Sequence, residues 1–95
     1  MNNFRRSPRS KNEIYKNILE VLRLNGPLKI TYIMYKSNVS CTILKQYLKF
    51  LQHKKYVSVI YVSVKKGNGR GGNRYYITEE GIEALKILKN ADRIF

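Results

Sequence analysis

Residues 28–53 read LKITYIMYKSNVSCTILKQYLKFLQH, and their middle, Ser37-Asn38-Val39-Ser40, decides the fold. Upstream, Lys29 to Ser37 predicts a helix with Ile30, Ile33 and Met34 turned inward. Asn38 stops it, because asparagine tolerates the left-handed backbone that a helix end needs. Val39 plugs the turn, and Ser40 is placed to cap a further helix from Cys41 to His53. Two short helices across such a turn are a helix-turn-helix by pattern.

Reading outward toward the N-terminus, Ser10 is a plausible cap with Glu13 three residues on, where a capping box places a carboxylate. Ile14, Ile18, Val21 and Leu22 follow at helical spacing, and Gly26-Pro27 ends that helix. Leu28 to Ile30 fits either a short strand or the lead into the next helix. Toward the C-terminus, Tyr56 to Val64 is β-branched and aromatic, which predicts a strand. A glycine-rich basic stretch, Lys65 to Asn73, then leads to a second strand, Arg74 to Ile77. Thr78 is placed to cap a last helix, with Glu79 and Glu80 at its positive end. Ile82, Leu85 and Leu88 continue it inward. The order is helix, helix, helix, strand, tip, strand, helix: an α+β winged helix-turn-helix, three helices with a two-stranded wing hairpin and a C-terminal helix.

The 95 residues hold one domain over 10–95, preceded by a flexible basic arm over 1–9. Nineteen Lys and Arg stand against six Asp and Glu, a net charge of +13. A compact state so charged repels itself, so a polyanionic partner is the natural explanation. The acids are Glu13, Glu20, Glu79, Glu80, Glu83 and Asp92, and none lies between Arg23 and Arg74. One connected block has been kept free of negative charge. Neither a membrane span nor a signal-peptide core is evident, and the single Cys41 suits a reducing cytoplasm.

On the third helix, Leu44, Tyr47, Leu48 and Leu51 form the core stripe. Ser40, Cys41, Thr42, Lys45, Gln46 and Lys49 make the other side, without a carboxylate. A helix entering a major groove needs hydrogen-bonding tips near its N-terminus and cations along its flanks. Gln46 can pair with adenine through two hydrogen bonds, and Lys45 can reach guanine or a phosphate. In the wing, Lys65, Lys66, Arg70 and Arg74 flank glycines that permit close backbone approach, fitting the backbone or a minor groove. Arg5, Arg6 and Arg9 of the arm suit an adjacent groove. On the last helix, Ile87, Ala91, Ile94 and Phe95 make a second apolar stripe that the domain's own core can hardly bury, so a homodimer is expected through it.

The expected partner is therefore double-stranded DNA, with no cofactor, metal, membrane or small-molecule substrate evident. Gly67 to Gly72 matches a dinucleotide-binding spacing, but a strand follows where a helix is required. A phosphate-binding loop fails too, since Asn73 stands in place of its lysine. Cys41 and His53, about 18 Å apart along one helix, cannot form a thiol dyad. No carboxylate pair or nucleophile elbow points to an enzyme.

Gly26 to Ser40, with its Tyr35-Lys36-Ser37-Asn38-Val39-Ser40 run, resembles an archaeal winged-helix DNA-binding family whose members carry K-A-N-L-S. Leu44 to Leu51 fits that family's recognition helix, and Tyr75 to Gly81 fits its closing Y-x-L-T-x-x-G. The family holds small transcription regulators and dimeric chromosomal proteins. The resemblance implies that the helix after Ser40 reads DNA and that Gly67 to Asn73 is the tip of a wing. Lys54-Lys55 replaces the family's glycine after the recognition helix, which implies a different turn there. The short last helix argues against the long coiled coil of the chromosomal members. A sequence-selective regulator, cytoplasmic and chromosome-associated, is the expected function. The alternatives are a sequence-tolerant architectural protein, a protein-interaction module and, with less support, an RNA binder.

Overall fold

Ser10 is the N-cap of the first helix, its Oγ accepting a hydrogen bond from the Glu13 N–H at 3.1 Å. The computed structural model describes residues 10–63 and 71–94, with only the backbone of 91–94. Helix α1 runs Lys11–Asn25, α2 Ile30–Ser37 and α3 Cys41–His53. Strands β1 (Val57–Val62) and β2 (Gly72–Ile77) pair antiparallel from Val57↔Ile77 to Val62↔Gly72, and α4 (Glu79–Ile94) follows. The four helices and the hairpin are those expected.

Each helix end has a chemical cause. Gly26, at φ 77°, closes α1 with its N–H on the Leu22 carbonyl. Asn38 takes the left-handed conformation (φ 57°, ψ 48°) and bonds back to Met34, the stop foreseen from its side chain. Val39 is buried in the turn, and the Ser40 hydroxyl accepts from the Ile43 N–H at 3.4 Å. Helix α2 starts one residue later than the periodicity suggested. Leu28 exchanges two backbone hydrogen bonds with Tyr75 of β2, at 2.8 and 3.0 Å, which holds the chain extended through Lys29. Leu28 is thus an isolated bridge to β2 rather than a strand, and the chain leads from it into α2.

The core gathers one face from every helix: Ile18, Leu19 and Leu22 of α1, Ile33 of α2, Leu44, Leu48 and Leu51 of α3, Leu85 of α4, with Val39 and Val57. Each buried aliphatic of this kind contributes about 1.5–3 kcal/mol of transfer free energy. Helix α4 returns across α1, where Lys89 Nζ meets Glu20 Oε2 at 3.0 Å. Among the described residues no helix is long and apolar enough to cross a membrane.

After α3 the chain reverses through Lys54 and then Lys55, whose φ is 67°. The Tyr56 N–H reaches back to the Leu51 carbonyl and the Lys55 N–H to Gln52. These bonds satisfy carbonyls that a helix end would otherwise leave orphaned. The expectation of a different turn is corrected: Lys55 adopts the conformation a glycine would take. Thr78 then locks the turn. Its hydroxyl donates to the Lys55 carbonyl at 2.7 Å and accepts from the Gly81 N–H at 3.0 Å, and its own N–H bonds to the Tyr56 carbonyl. A Cβ on Gly81 would run into that same Tyr56 carbonyl. The spacing from Thr78 to Gly81 is therefore the clamp that seats α4 on the α3–β1 turn.

Candidate nucleic-acid interface

Helix α3 is anchored by Leu44, Leu48 and Leu51, and this fixes what it presents outward. Thr42, Lys45, Gln46 and Lys49 are all exposed, on the side opposite that stripe. Ser40 is exposed too, but its hydroxyl is occupied in capping. Cys41 is half-buried, at the border of the face rather than on it. Tyr47, half-buried, turns to α1, where its ring lies 4.7 Å from that of Tyr15. Phe50, outside the core stripe read from the spacing, also packs there, its ring centroid 5.1 Å from that of Tyr15 and the planes 29° apart. Burial, and then the neighbouring Tyr47, push the Tyr15 hydroxyl above its ordinary pKa.

Sequence reading missed two features. His53 continues the exposed face from Thr42 through Gln46 and Lys49, at steps of four, three and four residues. In the sequence it is weighed only as a partner for Cys41, although extending the wheel by one turn finds it. The exposed side of α2 carries Thr31, Tyr32, Tyr35 and Lys36, two of them large aromatics with no core role. Alternation within a short helix gives no signal for these.

The wing's base is described, and Arg74 lies there on β2, opposite Ile60. It is half-buried, and its Nε is shielded without a hydrogen-bond partner among the described residues. Just before β2, a Cβ on Gly71 would come within 2.7 Å of both the Tyr61 hydroxyl and the Val62 carbonyl, so the strands close tightly there. Lys65, Lys66 and Arg70 at the tip, Arg5, Arg6 and Arg9 of the arm, and Phe95 lie outside the described residues. On α4, Ile87 is 67% exposed, while Ala91 and Ile94 are placed on the helix by backbone alone. Ile87 edges a groove of about 290 Å³ whose walls include Tyr15, Phe50, Tyr56 and Leu88.

The acids are sorted by element. Glu13 and Glu20 lie on α1, and Glu79, Glu80, Glu83 and Asp92 lie on α4. Helices α2 and α3 and both strands carry none. Among the described residues no three His, Cys, Asp or Glu side chains gather as a metal site.

A family model described as winged helix-turn-helix matches residues 8–95. No curated protein matches the sequence. Among solved structures, a PadR family transcription regulator from Clostridium difficile is similar at TM-score 0.75 and 21% identity, over 85% of this chain and 88% of that one. Sso10a-2, a DNA-binding protein from Sulfolobus solfataricus, is similar at TM-score 0.69 and 25% identity, over 90% and 81%. A MarR family transcriptional regulator from Silicibacter pomeroyi is similar at TM-score 0.71 and 21% identity, over 86% of this chain. The match spans about half (52%) of that regulator's length. The order of elements, the Asn38 turn, the hairpin and the model match agree: the chain belongs to the winged helix-turn-helix family.

Proposed function

We propose that the protein is a double-stranded DNA-binding transcription regulator that reads the major groove with α3. The observation that carries this reading is the segregation of charge, with every acid on α1 and α4 and only cations on α2, α3 and the hairpin. A solvated helix face ordinarily mixes both signs; a face set against phosphates cannot. In this reading Thr42 and Gln46 meet base edges, Lys45, Lys49 and His53 flank them toward phosphates, and Ser40 and Cys41 border the contact. Arg74, with Lys65, Lys66 and Arg70, lies along the backbone or minor groove, and Arg5, Arg6 and Arg9 reach an adjacent groove. The unpartnered Arg74 Nε supports this, since a buried donor without an acceptor costs about 1–3 kcal/mol and is kept where its outer N–H groups have work. Ile87, Ala91, Ile94 and Phe95 form a homodimer contact. The protein would then reside in the cytoplasm on the chromosome, with no catalytic role.

Selection from a random duplex pool, followed by affinity measured against salt, tests the proposal. Expected are an enriched motif, a preference of about 4 kcal/mol or more over random duplex, and a strongly negative log–log slope with salt. A slope near zero rejects DNA binding. A steep slope without an enriched motif leaves a sequence-tolerant binder and rejects regulation through base reading.

A further inference from the structure

The outer edge of β1 stands open. Tyr75 spends its N–H and C=O on Leu28, on the far side of β2. Because hydrogen bonds in an antiparallel pair alternate, Arg74 and Tyr76 must then be the β2 residues that bond to β1, through Ile60 and Ser58. The Tyr56–Thr78 bond continues the same phase. The backbone N–H and C=O groups of Val57, Val59 and Tyr61 consequently point away from the sheet, where none of the described strands pairs with them.

Nothing in the strand guards this edge. Val57–Val62 reads VSVIYV, without charge, proline or bulge, whereas exposed edges are ordinarily blunted by one of these. Ile60 is 43% and Tyr61 68% exposed. The charge-free run from Tyr56 to Val64 is bounded by Lys54-Lys55 and Lys65-Lys66. In a chain of net charge +13, a contact between two copies must avoid setting lysine against lysine.

We propose that the β1 edge is a self-pairing site, at which the β1 strands of two copies join antiparallel with Val59 opposite Val59. In that register Val57 faces Tyr61, so the outward backbone groups exchange hydrogen bonds, and Ser58 faces Ile60. Lys54 and Lys55 lie in the turn before the strand, so within the paired residues no like charges are opposed. A shift that centres the pair on Ile60 turns the axis onto residues already bonded to β2. Hydrogen-bond phase therefore excludes that shift, and the uncharged strand leaves the register centred on Val59 free of repulsion. The contact is separate from the α4 stripe and does not rest on the DNA reading. A molecule using both would extend into chains.

Amide hydrogen exchange of the full-length protein across a concentration series tests this. The Val59 and Tyr61 amides should gain protection of tenfold or more as concentration rises, while Ser58 and Ile60, already bonded to β2, change little. Tyr61→Lys, which leaves the backbone intact and sets a cation on the edge, should abolish the gain. Tyr61→Pro should do the same, since it removes only an N–H that the hairpin does not use. Repeating the series in Ile87→Glu separates this pairing from association through α4: the gain should persist there. Exchange at Val59 and Tyr61 that is independent of concentration, or a gain that survives Tyr61→Lys, overturns the proposal.

Discussion

Lys55 bears a side chain on a backbone of φ 67°, held there by the Thr78 hydroxyl on its carbonyl. A left-handed L-residue costs roughly 1–2 kcal/mol, of which the greater freedom of unfolded glycine returns part. Lys55→Gly is therefore expected to stabilise the fold by about 0.5–1 kcal/mol, or several degrees in Tm for a domain of this size. Lys55→Ala keeps a Cβ on the same backbone and should give no such gain; equal melting of the two variants would show that charge rather than conformation is at stake. Gly81 is the converse case. Its Cβ would collide with the Tyr56 carbonyl, so Gly81→Ala should destabilise by about 1–3 kcal/mol in a denaturant titration, in spite of alanine's better helix propensity. The resemblance pointed to both positions as motif residues, but only the folded chain gives their reasons. One is a turn that needs a left-handed residue, and the other a helix that sits against a carbonyl.

At the scale of elements, α1, α3 and α4 were legible because caps and a period of 3.6 residues are local signals. Ser10, Asn38, Ser40 and Thr78 each do what their side chains foretell. The strands were legible as elements but not at their ends. β2 begins at Gly72, not Arg74, since pairing with Val62 and Tyr61 carries it through two residues of poor strand propensity. β1 starts at Val57 because Tyr56 is consumed by the turn, its N–H on Leu51 and its carbonyl on Thr78. The stacking of Phe50 on Tyr15 was illegible, for a helical wheel shows a face but not the neighbour that covers it. For the interface, helix α3 makes two distinguishable predictions. Gln46→Ala should change which duplexes are preferred, at about 1–3 kcal/mol at one base position. Lys49→Ala should weaken binding on every sequence and flatten the log–log salt slope by about 0.9. A uniform loss from Gln46→Ala would mean that this helix touches phosphates and reads no bases.

Across the whole molecule, α1 and α4 pack together, joined by the Lys89–Glu20 pair, and are the elements of mixed charge, and the exposed Ile87 lies on α4. Two copies can approach there without the repulsion their opposite faces would impose, and the recognition helices would then point outward together. For a symmetric dimer the two α3 helices must enter successive major grooves, about 34 Å apart. Ile87→Glu tests the arrangement with little risk to the fold, because substitutions at so exposed a position ordinarily shift stability by less than about 0.5 kcal/mol. At concentrations below those at which the β1 edges pair, the wild-type chain is expected to sediment at twice its 11.2 kDa and the variant at 11.2 kDa. The salt dependence supplies a second, independent reading. If each copy neutralises the same phosphates, the log–log slope of the variant should fall to about half that of the wild type, because the slope counts phosphate contacts. An unchanged mass removes α4 as the dimer contact. A reduced mass with an unchanged slope would mean that the dimer forms but that a single copy is the DNA-binding unit.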